Sequence, residues 1–124
     1  MLNKSVILTA LGLAIVSGAS AARAQDATAG GVVYKRCAIC HSTTGTISVG
    51  PPLNGIVGRK GAGVPKYTYS KAMAGKALVW DAPTLDKFLA RPQALVPGTK
   101  MGFAGLTNPK DRQNLIAYLA TLKK

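Results

Sequence analysis

Both cysteines and the single histidine of this 124-residue chain fall within five consecutive positions, Cys37-Ala38-Ile39-Cys40-His41. On a helical stretch, cysteines three positions apart project from the same side. Two thiols so placed can add to the two vinyl groups of one porphyrin, while the next residue turns its imidazole towards the iron. The stretch therefore reads as a covalent attachment site for one haem c, held by Cys37 and Cys40 with His41 on the metal. A thioredoxin-like dithiol would need alternating strands and helices around the pair, and no run of alternating strands is visible. A structural zinc site would need four Cys or His ligands; the chain has three.

Length allows one domain plus a processed segment. A domain this small buries a modest share of its surface and leans on something extra for stability. The seven aromatic residues all follow residue 33, and a buried haem would supply the large apolar body that such a core lacks. Sixteen basic residues stand against four aspartates and no glutamate, for a formal charge of +12, which points to acidic partners or surfaces. Nucleic acid is excluded as the partner, because the basic residues are scattered singly or in pairs, with no basic helix, aromatic RNA-binding signature or finger spacing.

Residues 1–24 have the pattern of a cleaved secretory signal peptide: Lys4 as a positive start, an apolar run from Val6 to Ala19, and Ala22-Arg23-Ala24 as a small-x-small cleavage site. The run is broken by Thr9, Gly12, Ser17 and Gly18 and falls short of the roughly 20 residues that a membrane span requires. No stable membrane insertion is expected. Removing Lys4 and Arg23 with the leader takes 16 basic residues to 14 and leaves a domain of residues 25–124 with a formal charge of +10.

Within that domain, Asp26 caps a helix expected to run through Val33 to Cys37. Gly30 and Gly31 each weaken it by roughly 1 kcal/mol relative to alanine, which is better explained by close approach of a second helix. Residues 42–65 read as loop, long enough to need a function such as wrapping a cofactor. A short helix follows from Ser70 to Gly75. Asp81 caps a third, with Leu85, Phe88 and Leu89 on one face, and Pro92 stops it. Gln93 to Thr107 is expected to be irregular. The last helix starts at Asn108 and Pro109, with Leu115, Tyr118, Leu119 and Leu122 as its apolar face.

With His41 the only histidine, a second axial ligand must come from methionine, lysine, tyrosine or water. Met1 leaves with the leader, so Met73 and Met101 remain. Each could equally be a flexible core filler. Met101 lies in a loop shaped by Pro97 and Gly98, whereas Met73 lies on the short helix.

Taken together, Cys37 to His41, Gly50-Pro51-Pro52-Leu53, Gly58-Arg59-Lys60, Tyr67-Thr68-Tyr69, Trp80, Pro97-Gly98-Thr99-Lys100-Met101-Gly102-Phe103 and Leu115 to Leu119 resemble class I cytochrome c, closest to the bacterial cytochrome c2 and mitochondrial types. The resemblance implies an all-α cytochrome c fold, with N- and C-terminal helices crossed and shorter helices and loops around one covalent haem. It implies His41 and Met101 as iron ligands, and Pro51 as acceptor for the His41 ring N–H. Arg59, Tyr69 and Trp80 would hold the propionates, and Thr99 and Phe103 would close the methionine side. Phe88 stands where many relatives have tyrosine, and Met73 where several have asparagine. Of the basic ring that relatives show around the exposed haem edge, Arg36 and Lys100 fit. Gln93, Ala94, Thr107 and Asn108 occupy positions that are often lysine.

The expected function is a monomeric, soluble periplasmic one-electron carrier of a respiratory chain. It would exchange electrons with redox partners that present acidic docking surfaces, such as a membrane oxidase or reductase, and would not be an enzyme. The alternative is a peroxidase-like or gas-sensing haem protein with a labile axial ligand. That reading lacks a catalytic acid, base or second histidine.

Overall fold

The computed structural model describes residues 25–124; the leader assignment, residues 1–24, lies outside the described residues. Five helices follow in order: α1 (Ala27–Tyr34), α2 (Lys71–Gly75), α3 (Ala82–Ala90), α4 (Pro92–Leu95) and α5 (Pro109–Thr121). Among the described residues there is no strand, only an isolated antiparallel bridge between Lys60 and Val79. The domain is all-α, as expected.

Side-chain caps start four of the helices. Asp26 accepts from the Ala29 N–H, Ser70 from Met73, Asp81 from Thr84 and Asn108 from Lys110, each satisfying one donor that the first turn leaves unpaired. Two boundaries differ from the sequence expectation. Helix α1 ends at Tyr34 rather than Cys37, and the chain then continues in turns that carry Cys37 N–H to Tyr34 O at 2.7 Å and His41 N–H to Cys37 O at 3.0 Å. The stretch after Pro92 is not wholly irregular: with its fixed φ, Pro92 both ends α3 and opens α4.

The N- and C-terminal helices pack on each other, and α5 also supports α3. A Cβ on Gly30 would stand 1.9 Å from Asn114 O and 2.8 Å from Tyr118 Cβ, so only glycine permits this approach. Gly31 is different; a Cβ there would make an ordinary 3.4 Å contact with Tyr118. The Tyr34 and Tyr118 rings meet at 5.1 Å, and buried Asn114 accepts from the Asp26 backbone N–H at 2.9 Å. On the other side of α5, Arg112 pairs with Asp86 of α3 at 2.7 Å and donates to Leu106 O at 2.8 Å. Leu115 and Leu119 of α5 meet Leu85, Phe88 and Leu89 of α3, with Trp80 and Met73, in one buried cluster.

Candidate haem site

That cluster does not close on itself. It forms the wall of a cavity of about 670 Å³, whose lining is predominantly apolar. Size and lining are those of a preformed cofactor site. All ten residues assigned from the sequence line it: Cys37, Cys40, His41, Pro51, Arg59, Tyr69, Trp80, Thr99, Met101 and Phe103.

The turns after α1 bring Cys37, Cys40 and His41 to one rim. Both cysteines are free thiols and partly buried. Burial pushes the Cys37 thiol up; the neighbouring Arg36 guanidinium opposes this and Cys40 adds to it. The His41 Nδ1 lies 2.7 Å from Pro51 O. A carbonyl only accepts, so Nδ1 carries the proton and Nε2 of the neutral ring is left as a lone pair able to bind a metal. The ring is fixed from behind as well: a Cβ on Gly50 would be 2.5 Å from His41 Cε1, and Tyr34 Oη donates to His41 O at 2.7 Å. The roles of Gly50 and Tyr34 were not legible in the sequence, because both contacts depend on how the loop 42–51 returns to the turn.

Met101 enters from the loop between α4 and α5. Its N–H donates to Thr99 Oγ1 at 3.3 Å, and its carbonyl accepts from Gln93 Nε2 at 3.1 Å. Arg36 stacks on Phe103, with Cζ 5.7 Å from the ring centre. Met73 is buried in the same cavity wall, beside a core in which Trp80 and Phe88 rings lie 4.9 Å apart. Lys100, beside Met101, donates to Thr68 O and sits 4.6 Å above the Tyr67 ring. Tyr67 in turn donates to Val49 O at 3.1 Å. These contacts strap the methionine loop across the mouth.

The polar end of the cavity is incompletely satisfied by protein. Arg59 donates to Pro52 O at 3.0 Å and Asn54 O at 3.3 Å, yet its Nε and the nearby Asn54 Oδ1 are buried without partners. Burial holds the guanidinium below its usual value, opposed by Tyr69. A half-buried cation whose Nε is buried without a partner calls for an anion. The Tyr69 hydroxyl accepts from Val64 N–H at 3.0 Å and keeps its own proton to donate. A flat apolar body with carboxylates at one end, two thiol attachment points and an iron to receive His41 Nε2 fits this donor set. Haem c meets each requirement.

The family model for cytochrome c matches residues 27–123. The chain is 48% identical to cytochrome c2 of Rhodomicrobium vannielii over 120 residues, covering 95% of this chain and 96% of the relative. The chain belongs to the cytochrome c family. It is also 49% identical over 89 residues to cytochrome c of Euglena viridis, covering 71% of this chain and 87% of that one. Among solved structures it superposes on cytochrome cH from Methylobacterium extorquens with a TM-score of 0.75 at 42% identity, covering 77% of this chain and 98% of the other. As a cytochrome c it carries one covalent c-type haem with iron and acts as an electron carrier.

Proposed function

We propose that this cytochrome c is an exported, periplasmic one-electron carrier in which His41 and Met101 ligate the iron. Cys37 and Cys40 bind the porphyrin covalently, and Arg59, Tyr69 and Trp80 receive the propionates. The haem supplies a metal that alternates between ferrous and ferric states. The observation that carries the reading is the 2.7 Å contact from His41 Nδ1 to Pro51 O, which supports Nε2 as the nitrogen available to a metal on a ring that lines the same cavity as Met101. Thioether sulfur favours the ferrous state and raises the potential relative to two histidines. The chain's own work is to bury the group, orient its ligands and exclude water. No substrate site beside the haem is required, and we do not read the chain as an enzyme.

Export is supported by the leader pattern of residues 1–24 and by the 95% of this chain aligned with the Rhodomicrobium protein, more than residues 25–124 alone supply. Among the described residues no helix is long and apolar enough to cross a membrane. Redox partners with acidic surfaces would meet the mouth, where exposed Arg36 and Lys100 flank exposed Ile39 and Val49. Absorption spectroscopy of the ferric holoprotein tests the ligand set: a low-spin spectrum with a weak sulfur-to-iron band at the red end is expected, lost in Met101→Ala and kept in Met73→Ala. The reverse pattern would assign the iron to Met73. Mass spectrometry of the exported protein should place Gln25 at the N-terminus.

A further inference from the structure

Met101 lies on a segment that backbone pairing does not hold. Among the described residues, no backbone-to-backbone hydrogen bond involves residues 100–105; the nearest are Thr99 N–H to Val96 O at 3.0 Å before them and Leu106 N–H to Leu89 O at 2.7 Å after them. A stretch so bare opens locally at a fraction of the free energy of unfolding. Side chains tie it down instead. Lys100 reaches Thr68 O, and Thr99 Oγ1 accepts from the Met101 N–H. The carbonyl of Met101 itself is gripped by Gln93, whose Nε2 lies 3.1 Å from Met101 O and 3.5 Å from Thr99 O.

The base of this clip is rigid. Gln93 is the second residue of α4 and stands between Pro92 and Val96, both fully buried, and the Val96 N–H closes the turn onto Pro92 O at 2.9 Å. Backbone on both sides of Gln93 is thereby fixed, while its exposed side chain reaches the methionine loop. The orientation of the amide follows from its surroundings. Turned over, Oε1 would face two carbonyl oxygens that only accept, so the NH2 end points at them. In the sequence this position reads only as a gap in a ring of basic residues; the contact gives it a task.

We propose that Gln93 is a positioning residue for the methionine ligand: its amide pins the Met101 carbonyl to α4 and slows the outward swing by which the sulfur would leave the iron and an external ligand enter. The proposal rests on the reading of Met101 as a ligand and deepens it. A neutral hydrogen bond at an exposed site has a modest net worth, so its effect falls on how often the loop opens rather than on whether the chain folds.

The test is stopped-flow mixing of the ferric holoprotein with imidazole, a neutral ligand, at neutral pH. At saturating imidazole the observed rate levels off at the rate at which Met101 leaves the iron, whatever the affinity for the probe. That limiting rate should rise about 2- to 10-fold in Gln93→Leu, the range of one such hydrogen bond. It should rise further in Gln93→Glu, whose carboxylate has no proton to donate and repels the two carbonyl oxygens. Gln113→Leu, the same change at an exposed position of α5, should leave it unchanged. Wild-type limiting rates in both Gln93 variants would overturn the proposal, as would an equal rise in Gln113→Leu. A lower urea midpoint without a faster limiting rate would reduce the bond to a structural one and overturn it too. The ligand reading fails separately, by a wild-type ferric spectrum without the sulfur-to-iron band, whereas a wild type that has the band and Gln93 variants with unaltered rates overturn the clip alone.

Discussion

A methyl group on Gly50 would stand 2.5 Å from His41 Cε1 and 2.7 Å from Nδ1, closer than any relaxed contact. The ring cannot retreat without losing its bond to Pro51 O. Gly50→Ala should therefore cost about 1–3 kcal/mol, the range for overpacking, and shift the redox potential because the imidazole is displaced. Denaturant unfolding and a potentiometric titration of the holoprotein would check both effects. Arg59 illustrates a different residue-scale logic. Its buried Nε lacks a protein partner, so its contribution depends on the anion it receives, and Arg59→Met should be tolerated far better by the polypeptide before haem attachment than by the holoprotein.

At the scale of elements, two adjacent glycines of α1 separate packing from propensity. Gly30→Ala places a Cβ 1.9 Å from backbone oxygen of α5, where no side chain can give way, and should destabilise by at least about 1–3 kcal/mol. Gly31→Ala meets only the Tyr118 ring at 3.4 Å and gains helix propensity of up to about 1 kcal/mol, so its unfolding midpoint should stay level or rise. The cap of α3 carries a pH dependence. Hydrogen bonds from Thr84 hold the Asp81 carboxyl below the usual carboxylate range. A depressed folded-state pKa stabilises the protein above the unfolded value near 3.8, and that stability is lost as pH falls through the folded value. The stability difference between the wild type and Asp81→Asn should be flat from neutral pH down to that region and change only in more acid solution.

For the molecule as a whole, the strap across the mouth leads to an expectation for alkaline solution, on the proposed ligation of the iron by His41 and Met101. An ammonium cannot bind a metal, but the neutral amine that a lysine becomes in alkali can compete with a thioether for ferric iron. Between Gln93 and Asn108 the only lysine is Lys100, and it is tied to Thr68 O and the Tyr67 ring. The expected outcome is one alkaline step with one product, absent in Lys100→Ala and shifted to lower pH in Tyr67→Leu, where the tether is weakened. Magnetic resonance titration of the ferric protein reads the number of products directly. Charge is the other whole-molecule property. Electron transfer with an acidic partner should slow as salt rises, since ions screen the steering field over about 8–10 Å.

The sequence by itself determined the chemistry: both thiols and the sole histidine share one turn, and the caps at Asp26, Ser70, Asp81 and Asn108 are local signals that need no tertiary context. The helical class was legible for the same reason, and the residues assigned from short motifs all line one cavity. Tertiary structure decided what depends on segments distant in the chain. The end of α1 at Tyr34 and the extra turn α4 are set by how the chain must bend to bring Cys37 and Met101 to one cavity. Gly50 behind His41, the unpaired Arg59 Nε and the strap from Lys100 to Tyr67 all arise where loops without periodicity meet. Hydrophobic pattern and capping encode where a helix starts, but the partner of a loop side chain is fixed only when the whole chain closes around the site.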